Sequence, residues 1–414
     1  MTGVSLVVFG ATGDLTQRKL YPSLYQLAKR GLLPKRFSLY GVSRKKLTDK
    51  DFQKNIERDI RSFANGPIDV RALKKVTTKA RYLAGDLNHH EAYDQLKARL
   101  KDDLRLFYLA LPPRLFDPIV KHLDRSGMAS NMGAGRSRVI VEKPFGYDYS
   151  SGKRLERVLR SSFDEPQIFR IDHYLGKQAV QDLLAYRRGH PAFEQTLDAR
   201  SVRAIRVDAL EPGGLEARGP YYDGAGSIRD MTQNHLLQLV AFMTMKLPKS
   251  GSAKDIQSAR ANVLKSVRPF RNKVDLVIGQ YRGYHAEPGV EKDSKTDTYS
   301  SLVFEVDDPR WRGVPISVRT GKRLTRKLTC VTVQYKDGAR RVFQIDPHPG
   351  QGRGMGDYER LLLAAFDGDR SLFVSAAEVL NSWKAVDPFL KKAARMKPIP
   401  YRRGSSGPRK KAAR

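Results

Sequence analysis

The feature that most limits the possible folds is an alternation of short apolar runs with amphipathic stretches in the first part of the chain. The run "SLVVFG" is followed by "DLTQRKLYPSLYQLAKRG", and further apolar runs occur in "FSLYGVSR", "ARYLAGDL", "RLFYLALPP" and "SRVIVEKPFG". The runs have the length of buried strands, and the stretches between them have helical spacing. Strands that alternate with helices predict a parallel, doubly wound α/β sheet, in which ligands bind at the carboxyl ends of the strands.

The rhythm changes after about residue 171. The runs "VRAIRVDAL", "DLVIGQY", "SSLVFEVDD", "PISVRT", "TCVTVQY" and "RRVFQID" follow one another mostly without intervening helices, and several alternate apolar with polar residues. This pattern is typical of an antiparallel sheet with one covered face. Helical patterns precede these runs and follow them, so the second part is expected to be an α+β domain with a large, mainly antiparallel sheet.

Composition and charge add limits on location and partners. The 414 residues carry 76 basic and 44 acidic side chains, a formal net charge of +32, and a single cysteine, Cys330. The charge predicts attraction to anions such as phosphorylated metabolites, nucleotides and RNA, although it is also compatible with a plain solvated surface. The lone cysteine fits a reducing compartment, and the start of the chain lacks the basic segment of a signal peptide. We expect a cytoplasmic protein without a membrane partner, since no apolar stretch approaches the length of a bilayer span.

The last residues, 398–414, have a composition of their own. They contain no acidic residue and little apolar periodicity, while basic side chains are frequent. Such a segment repels itself and has little surface to bury. We therefore predict a basic, disordered tail, which leaves open an electrostatic contact with nucleic acid.

The first strand leads directly into a glycine-rich turn. Gly10 and Gly13 in "VVFGATGDLTQRKL" lie between a strand and a helix, where backbone amides meet the positive end of the helix dipole and bind pyrophosphate. Position 16 is Thr, so the third glycine of the usual dinucleotide motif is missing, and a turn without a ligand remains possible. The second strand ends at "GVSRKK", where Arg44 favours the 2′-phosphate of NADP, unless this stretch is only a solvated basic turn.

Six segments in order then resemble one family. "GATGDLTQRKLYPSL", "FYLALPP", "VIVEKPFG", "RIDHYLGK", "IRDMTQNHLLQ" and "GVPISVRTGKRL" are similar to the glucose-6-phosphate dehydrogenases, from Val4 to about Leu390. The resemblance implies a dinucleotide-binding Rossmann domain over residues 1–171 and a substrate-binding and dimerisation domain over 172–397, with the tail outside the family pattern. It implies a homodimer that oxidises glucose 6-phosphate at C1 to the lactone with hydride transfer to NADP, or in some members also to NAD. That reaction is the first step of the oxidative pentose phosphate pathway.

The same resemblance assigns roles to single residues. His235 would be the general base and Asp172 the carboxylate that stabilises its imidazolium, although a lone histidine on an apolar helix is commonly a core residue. The expected substrate contacts are Lys143, His173, Tyr174, Lys177, Glu211, Asp230 and Lys322, with His173, Tyr174 and Lys177 on the 6-phosphate. The expected cofactor contacts are Gly10, Thr12, Gly13, Asp14, Leu15, Lys19, Arg44 and Lys143. No metal is expected.

Two alternatives stay open at this point. A Rossmann domain followed by a sheet domain also suits oxidoreductases of other sugars. A non-catalytic, basic paralogue that binds nucleic acid would also explain the net charge of +32. The chain is also shorter than typical family members around "DPHPGQGRGMGDYERL", where a short glycine-rich loop replaces a longer excursion.

Overall fold

The computed structural model describes residues 3–64, 66–101, 104–130, 136–346 and 354–408. The strands, in chain order, are β1 Val4–Phe9, β2 Phe37–Ser43, β3 Arg81–Ala84, β4 Leu104–Leu109, β5 Arg136–Val141, β6 Ile168–Ile171, β7 Val202–Leu210, β8 Val267–Pro269, β9 Leu276–Tyr281, β10 Tyr299–Val306, β11 Ile316–Gly321, β12 Leu328–Tyr335, β13 Arg340–Gln344, β14 Phe373–Val374 and β15 Ile399–Tyr401. The helices are α1 Tyr21–Lys29, α2 Asp49–Phe63, α3 Val70–Thr77, α4 Glu91–Arg99, α5 Phe116–Arg125, α6 Tyr149–Arg160, α7 Gln178–Gly189, α8 Pro191–Gln195, α9 Gly219–Ser227, α10 Leu237–Thr244, α11 Ala253–Ser266, α12 Asp357–Asp367 and α13 Ala376–Ala393.

The chain forms two compact units. The first comprises Met1–Gly146, Ser150–Gly176 and Met355–Ala376, and the second comprises Tyr147–Tyr149, Lys177–Gly354 and Ala377–Arg414. Among the described residues, no helix is long and apolar enough to cross a membrane.

The first unit is built on one sheet with the strand order β14-β6-β5-β4-β1-β2-β3. All neighbouring pairs are parallel except β14 with β6. Every residue of β1 is buried, as expected for a strand whose two faces are both covered by helices. The predicted parallel, doubly wound sheet is confirmed, and its order places the ends of β1 and β4 side by side at the switch point where dinucleotides bind.

A late segment returns to this first unit. Residues 355–376, which were expected to belong to the second domain, contribute α12 and β14. Leu361, Phe366 and Phe373 lie in the same apolar core as the side chains of β1. These residues belong to the first unit because β14 pairs in antiparallel fashion with β6, at the edge of the first sheet.

The second unit contains a sheet with the order β13-β12-β7-β11-β10-β9-β15, and β8 pairs with β10. The pairs are antiparallel except β11 with β7 and β15 with β9, so the predicted mainly antiparallel sheet is confirmed. The glycine-rich loop of this part lies outside the described residues at positions 347–353.

The prediction of a disordered tail is wrong for residues 399–408. β15 pairs in parallel with β9, and Tyr401 is buried in an aromatic cluster with Tyr281, Tyr284 and Tyr299. Basic composition therefore did not prevent docking, because one buried aromatic residue and a strand pairing stabilise the segment. Residues 409–414 lie outside the described part of the chain.

Candidate active site

The glycine turn lies directly after β1. Gly10 has a φ of +89°, and a Cβ atom at this position would lie 2.4 Å from the carbonyl oxygen of Ala110. The amide of Gly13 and the hydroxyl of Thr16 both donate to the carbonyl oxygen of Gly10, at 2.9 and 3.1 Å. Thr16 thus closes the turn at the place where the usual motif has its third glycine. Leu15, half-buried, precedes the short π-helical turn Thr16–Leu20 that leads into α1.

The end of β2 lies beside this turn. The hydroxyl of Ser43 lies 3.3 Å from that of Thr12 and 2.9 Å from that of Tyr82. The Tyr82 hydroxyl donates to the carbonyl oxygen of Lys45 at 2.8 Å. These contacts fix the backbone on both sides of Arg44, so the structure brings the predicted phosphate turn and the predicted ribose-phosphate residue to one edge of the sheet.

The charged residues of this region are open to solvent. Arg44 and Lys19 are exposed, and exposed Asp14 forms an ion pair with Arg18 at 2.6 Å. Asp86, which is distant from Arg44 in the sequence, has a pKa lowered mainly by a hydrogen bond from the backbone amide of Asn88. The charge of Arg44 also contributes to this lowering, so an acidic residue lies near Arg44 in the structure.

A second group of polar side chains follows β5. Glu142 is 9% exposed and accepts a hydrogen bond from the Tyr108 hydroxyl at 2.5 Å and another from Tyr358. Burial raises the pKa of Glu142 to about 7, against the opposing effect of these two donors. Lys143 is half-buried next to it, and the negative charge of Asp172 is one of the causes of the raised Glu142 pKa.

The segment "RIDHYLGK" forms a tight turn after β6. Asp172 is 1% exposed, and its carboxylate accepts a hydrogen bond from the amide of Tyr174 at 3.0 Å. The Tyr174 ring is buried and meets the ring of His173 edge-on, with centroids 5.1 Å apart. Lys177 is the residue that precedes α7. The polar side chains of this segment therefore lie at the start of a helix, as the sequence predicts.

Within the second unit, Lys177 has an acidic partner. Its ammonium group lies 2.9 Å from a carboxylate oxygen of Asp346, and the hydroxyl of Thr329 donates to the other oxygen at 2.6 Å. Burial acts to raise the pKa of Asp346, but the hydrogen bonds from Lys177 and Thr329 outweigh it, so the pKa is lowered. Asp346 is thus a fixed counter-ion of the predicted phosphate-binding lysine.

His235 lies in the π-helical segment Ile228–Leu236 and is fully buried. Its backbone amide donates a hydrogen bond to the carbonyl oxygen of the Asn234 side chain at 2.6 Å. Asp230, 2% exposed, lies in the same segment, and the hydroxyl of Tyr221 is 3.5 Å from its carboxylate. The predicted interior helix is confirmed, and its π-helical geometry is a form that recurs at functional sites.

Glu211 and Lys322 are in direct contact. They follow the parallel neighbours β7 and β11, in which Leu210 lies opposite Gly321. The Lys322 ammonium is 2.6 Å from the Glu211 carboxylate and 5.3 Å from the centre of the Tyr222 ring. Lys322 is 4% exposed, so its charge is balanced by a close carboxylate and an aromatic face.

Two residues of these groups were missed by sequence reasoning. Glu142 had a signal, since it stands beside Lys143 at a strand end in "EKPFG". Asp346 had only a weak one, because it follows the last strand-like run and its partner Lys177 is far away in the chain.

The class of protein follows from these features. A Rossmann sheet with a glycine turn after β1, followed by a unit with a large mixed sheet and a buried helical histidine, defines a dinucleotide-dependent oxidoreductase. The chain matches the model of the glucose-6-phosphate dehydrogenase NAD binding domain over residues 7–182 and that of the C-terminal domain over residues 184–352 and 350–414. The chain belongs to the glucose-6-phosphate dehydrogenase family, and the resemblance is confirmed. The match also includes the basic tail, so the expectation that the tail lies outside the family pattern is wrong.

Individual relatives agree along nearly the whole chain. The cytoplasmic glucose-6-phosphate 1-dehydrogenase 5 of Arabidopsis thaliana is 32% identical, over 98% of this chain and 89% of its own length. The crystal structure of the Mycobacterium avium enzyme has a TM-score of 0.89 and 34% identity, over 98% of this chain and 95% of that one. A glucose-6-phosphate dehydrogenase in complex with its substrate glucose 6-phosphate has a TM-score of 0.89 and 31% identity, over 98% and 96% of the two chains.

Proposed function

We propose that this protein oxidises glucose 6-phosphate at C1 to 6-phosphoglucono-lactone and passes the hydride to NADP. The observation that carries the proposal is the nearly complete overlap of this chain with a family structure whose bound substrate is glucose 6-phosphate. The reaction would start the oxidative pentose phosphate pathway.

His235 is the proposed general base. The hydroxyl proton at C1 must leave as the C1–H hydride departs, and a buried imidazole is a group that can accept it. The proton moves to the imidazole, and the carboxylate of Asp172 stabilises the resulting imidazolium. Asp172 is suited to this role because it is buried and the hydrogen bond from the Tyr174 amide fixes its orientation.

The proposed phosphate grip consists of His173, Tyr174 and Lys177. An ammonium group supplies charge, and an imidazole and a phenol supply directed hydrogen bonds. Asp346 holds the Lys177 ammonium at a defined position, and the phosphate then becomes its second anionic partner. Such a fixed grip sets the distance from the phosphate to C1.

Four further residues are proposed to bind the sugar hydroxyls. Glu211 and Asp230 accept hydrogen bonds, while Lys322 and Lys143 donate them. The contact between Glu211 and Lys322 supports this assignment, because each group orients the other in the absence of bulk water around Lys322.

The residues at the glycine turn fit a nicotinamide dinucleotide. A Cβ atom at Gly10 would clash with the carbonyl oxygen of Ala110, so the position requires glycine, as does the tight turn that a pyrophosphate-binding loop makes after its first strand. When bound, NADP accepts the hydride from C1. Gly10, Thr12, Gly13, Asp14, Leu15 and Lys19 would hold its pyrophosphate region, Arg44 its 2′-phosphate and Lys143 the nicotinamide end. NAD is the alternative cofactor, since a hydroxyl such as that of Ser43 can donate to a free 2′-hydroxyl as well as to a 2′-phosphate.

We also propose a homodimer and a cytoplasmic location. The family resemblance supports the first, and the printed name of the Arabidopsis thaliana relative supports the second. Sedimentation of the purified protein and imaging of a tagged chain test the two statements separately.

The test of the activity is an optical assay of cofactor reduction. Glucose 6-phosphate, galactose 6-phosphate and free glucose are each offered with NADP and with NAD. We expect turnover with glucose 6-phosphate and a loss of roughly 10²–10⁴ in kcat for His235→Asn, the usual contribution of a positioned base. His285→Asn is the matched control, since His285 is exposed in the same unit. Faster turnover of another sugar, or RNA binding without any turnover, would overturn the proposal.

A further inference from the structure

Two histidine rings face each other within the first unit. His90 is the residue before α4, and His122 lies in α5. Their Nδ1 atoms are 3.3 Å apart, and their ring centres are 5.5 Å apart. Both residues are half-buried, so the pair lies at the surface without being fully solvated. The proposed reaction uses neither ring.

The outer nitrogen of each ring faces an oxygen atom that accepts hydrogen bonds. His122 Nε2 lies 3.1 Å from the carbonyl oxygen of Asn88, and His90 Nε2 lies 3.3 Å from a carboxylate oxygen of Asp94. A carbonyl or carboxylate oxygen has no proton to donate, so each Nε2 carries the proton of its neutral ring. The two Nδ1 atoms then present lone pairs to each other.

Two lone pairs that face each other at 3.3 Å repel unless a cation lies between them. If His90 instead donated from Nδ1, its unprotonated Nε2 would face the carboxylate of Asp94, which replaces one repulsion with another. A protonated ring that donates to its neighbour would remove the repulsion without a metal. A shared proton is therefore the competing explanation that an experiment must separate from a metal ion.

The spacing is that of two imidazoles on one metal ion. A Zn–N bond of about 2.0–2.1 Å and a tetrahedral angle place two nitrogen ligands about 3.3–3.4 Å apart. A metal-bound histidine usually donates its other N–H to a carboxylate or a backbone carbonyl, and this pair has one partner of each kind. The ring of His122 is also stacked on buried Tyr93, with centres 4.9 Å apart. The rings are therefore oriented for coordination by their surroundings.

We propose that His90 and His122 bind one divalent transition-metal ion through their Nδ1 atoms, with solvent water as the remaining ligands. Imidazole is a preferred ligand of Zn²⁺, Ni²⁺ and Cu²⁺, whereas Mg²⁺ and Ca²⁺ prefer oxygen. The ion joins the loop after β3 to α5, which are connected along the chain only through α4 and β4. The family resemblance implies no such site, and the proposal does not depend on the dehydrogenase reaction.

The first experiment is a calorimetric titration of the untagged full-length protein with Zn²⁺ at neutral pH. His90→Gln and His122→Gln should each remove one bound ion per chain. His89→Gln is the matched control, because His89 is the exposed neighbour of His90, and this variant should retain the ion. Asp94→Ala should weaken binding of the ion by about 10–100-fold, the usual cost of losing the hydrogen-bond partner of a ligand. Equal Zn²⁺ binding by the wild type and His90→Gln would overturn the proposal and favour a shared proton.

The second experiment follows amide hydrogen exchange by mass spectrometry. Zn²⁺ should slow exchange in residues 85–99 and in α5 of the wild type, because an ion bound to both segments opposes their local opening. In His90→Gln the ion should leave exchange unchanged. Mg²⁺ at the same concentration is the control ion and should have no effect on the wild type. Exchange that slows equally with Mg²⁺, or that does not slow with Zn²⁺, would overturn the proposal even if His122→Gln fails to fold.

Discussion

The docked C-terminal strand allows a quantitative prediction for Tyr401→Phe. The Tyr401 hydroxyl donates to the carbonyl oxygen of Lys322 at 2.7 Å and lies 2.9 Å from the hydroxyl of Thr298, and Tyr401 is 3% exposed. Loss of this donor leaves a buried carbonyl oxygen without its partner, which costs about 1–3 kcal/mol of unfolding free energy. Since the lost hydrogen bond holds the backbone of Lys322, the KM for glucose 6-phosphate should also rise, by about three- to tenfold.

The assay for stability is urea unfolding followed by tryptophan fluorescence. The two tryptophans, Trp311 and Trp383, are both buried in the second unit, so their signal reports on that unit. Tyr284→Phe is the matched control: its hydroxyl donates to Asp223 at 2.7 Å in the same aromatic cluster. The control should lose stability without a rise in KM. If Tyr401→Phe unfolds like the wild type, or if deletion of residues 399–414 leaves the transition unchanged, the strand is not part of the stable fold.

Three further predictions concern charge. Lys177→Ala should raise the KM for glucose 6-phosphate at least about tenfold and alter oxidation of free glucose little, because the phosphate is the only part of the substrate that the ammonium is proposed to bind; equal losses on both sugars in steady-state assays would contradict this. Arg44→Ala should weaken the binding of NADP by about 1.5–3 kcal/mol and leave the binding of NAD nearly unchanged in calorimetric titrations. Equal weakening for both cofactors would show that Arg44 does not bind the 2′-phosphate. In the wild type, the free energy of unfolding should fall by about 3 kcal/mol between about pH 4.5 and about pH 7, because a Glu142 pKa of about 7 lets the folded state keep a proton that the unfolded chain has lost. Glu142→Gln should abolish this fall. If the urea midpoints of the variant still show it, another group is responsible.

The local sequence was sufficient to predict most strands of the two sheets. The continuous apolar run of β1 indicates a strand covered on both faces, and the turn at Gly10 and Gly13 marks its end. In the second unit, alternation along β7 reflects a strand with one covered face. These patterns are short-range consequences of strand geometry, so they can be read without knowledge of the fold.

The return of residues 355–376 could not be read in this way. The periodicity of "DYERLLLAAFDGD" predicts a helix with an apolar face, but it does not identify the sheet against which that face packs. The assignment depends on β14, which has only two residues, Phe373 and Val374. A pairing this short has no periodicity of its own, and its partner β6 lies about 200 residues earlier in the chain.

The prediction of a disordered tail was wrong for a different reason: it relied on the average composition of the segment and gave too little weight to two apolar residues. Ile399 and Tyr401 alternate with Pro400 and form a three-residue strand. Basic residues surround them, so an average over the segment resembles disorder. The contact of Tyr401 with Lys322 depends on residues about 80 positions apart, which no local average detects.

The candidate site could be predicted residue by residue but not pair by pair. Glu211 and Lys322 were each recognisable as polar residues after a strand, yet their ion pair requires β7 and β11 to be parallel neighbours. The pair of Lys177 with Asp346 likewise depends on where β13 ends. Sequence patterns locate strand ends, whereas the order of strands in a sheet decides which ends meet.

The position immediately after a strand recurs among the site residues of both units. A strand end is held by hydrogen bonds from its neighbours, so the next residue starts from a fixed point, while its own backbone is no longer committed to the ladder. A side chain there can therefore be both well placed and directed away from the sheet. Residues in this position follow β1, β2, β5, β6, β7 and β11, namely Gly10, Arg44, Glu142, Asp172, Glu211 and Lys322. On this view Glu142 belongs with the five predicted residues by its place in the fold.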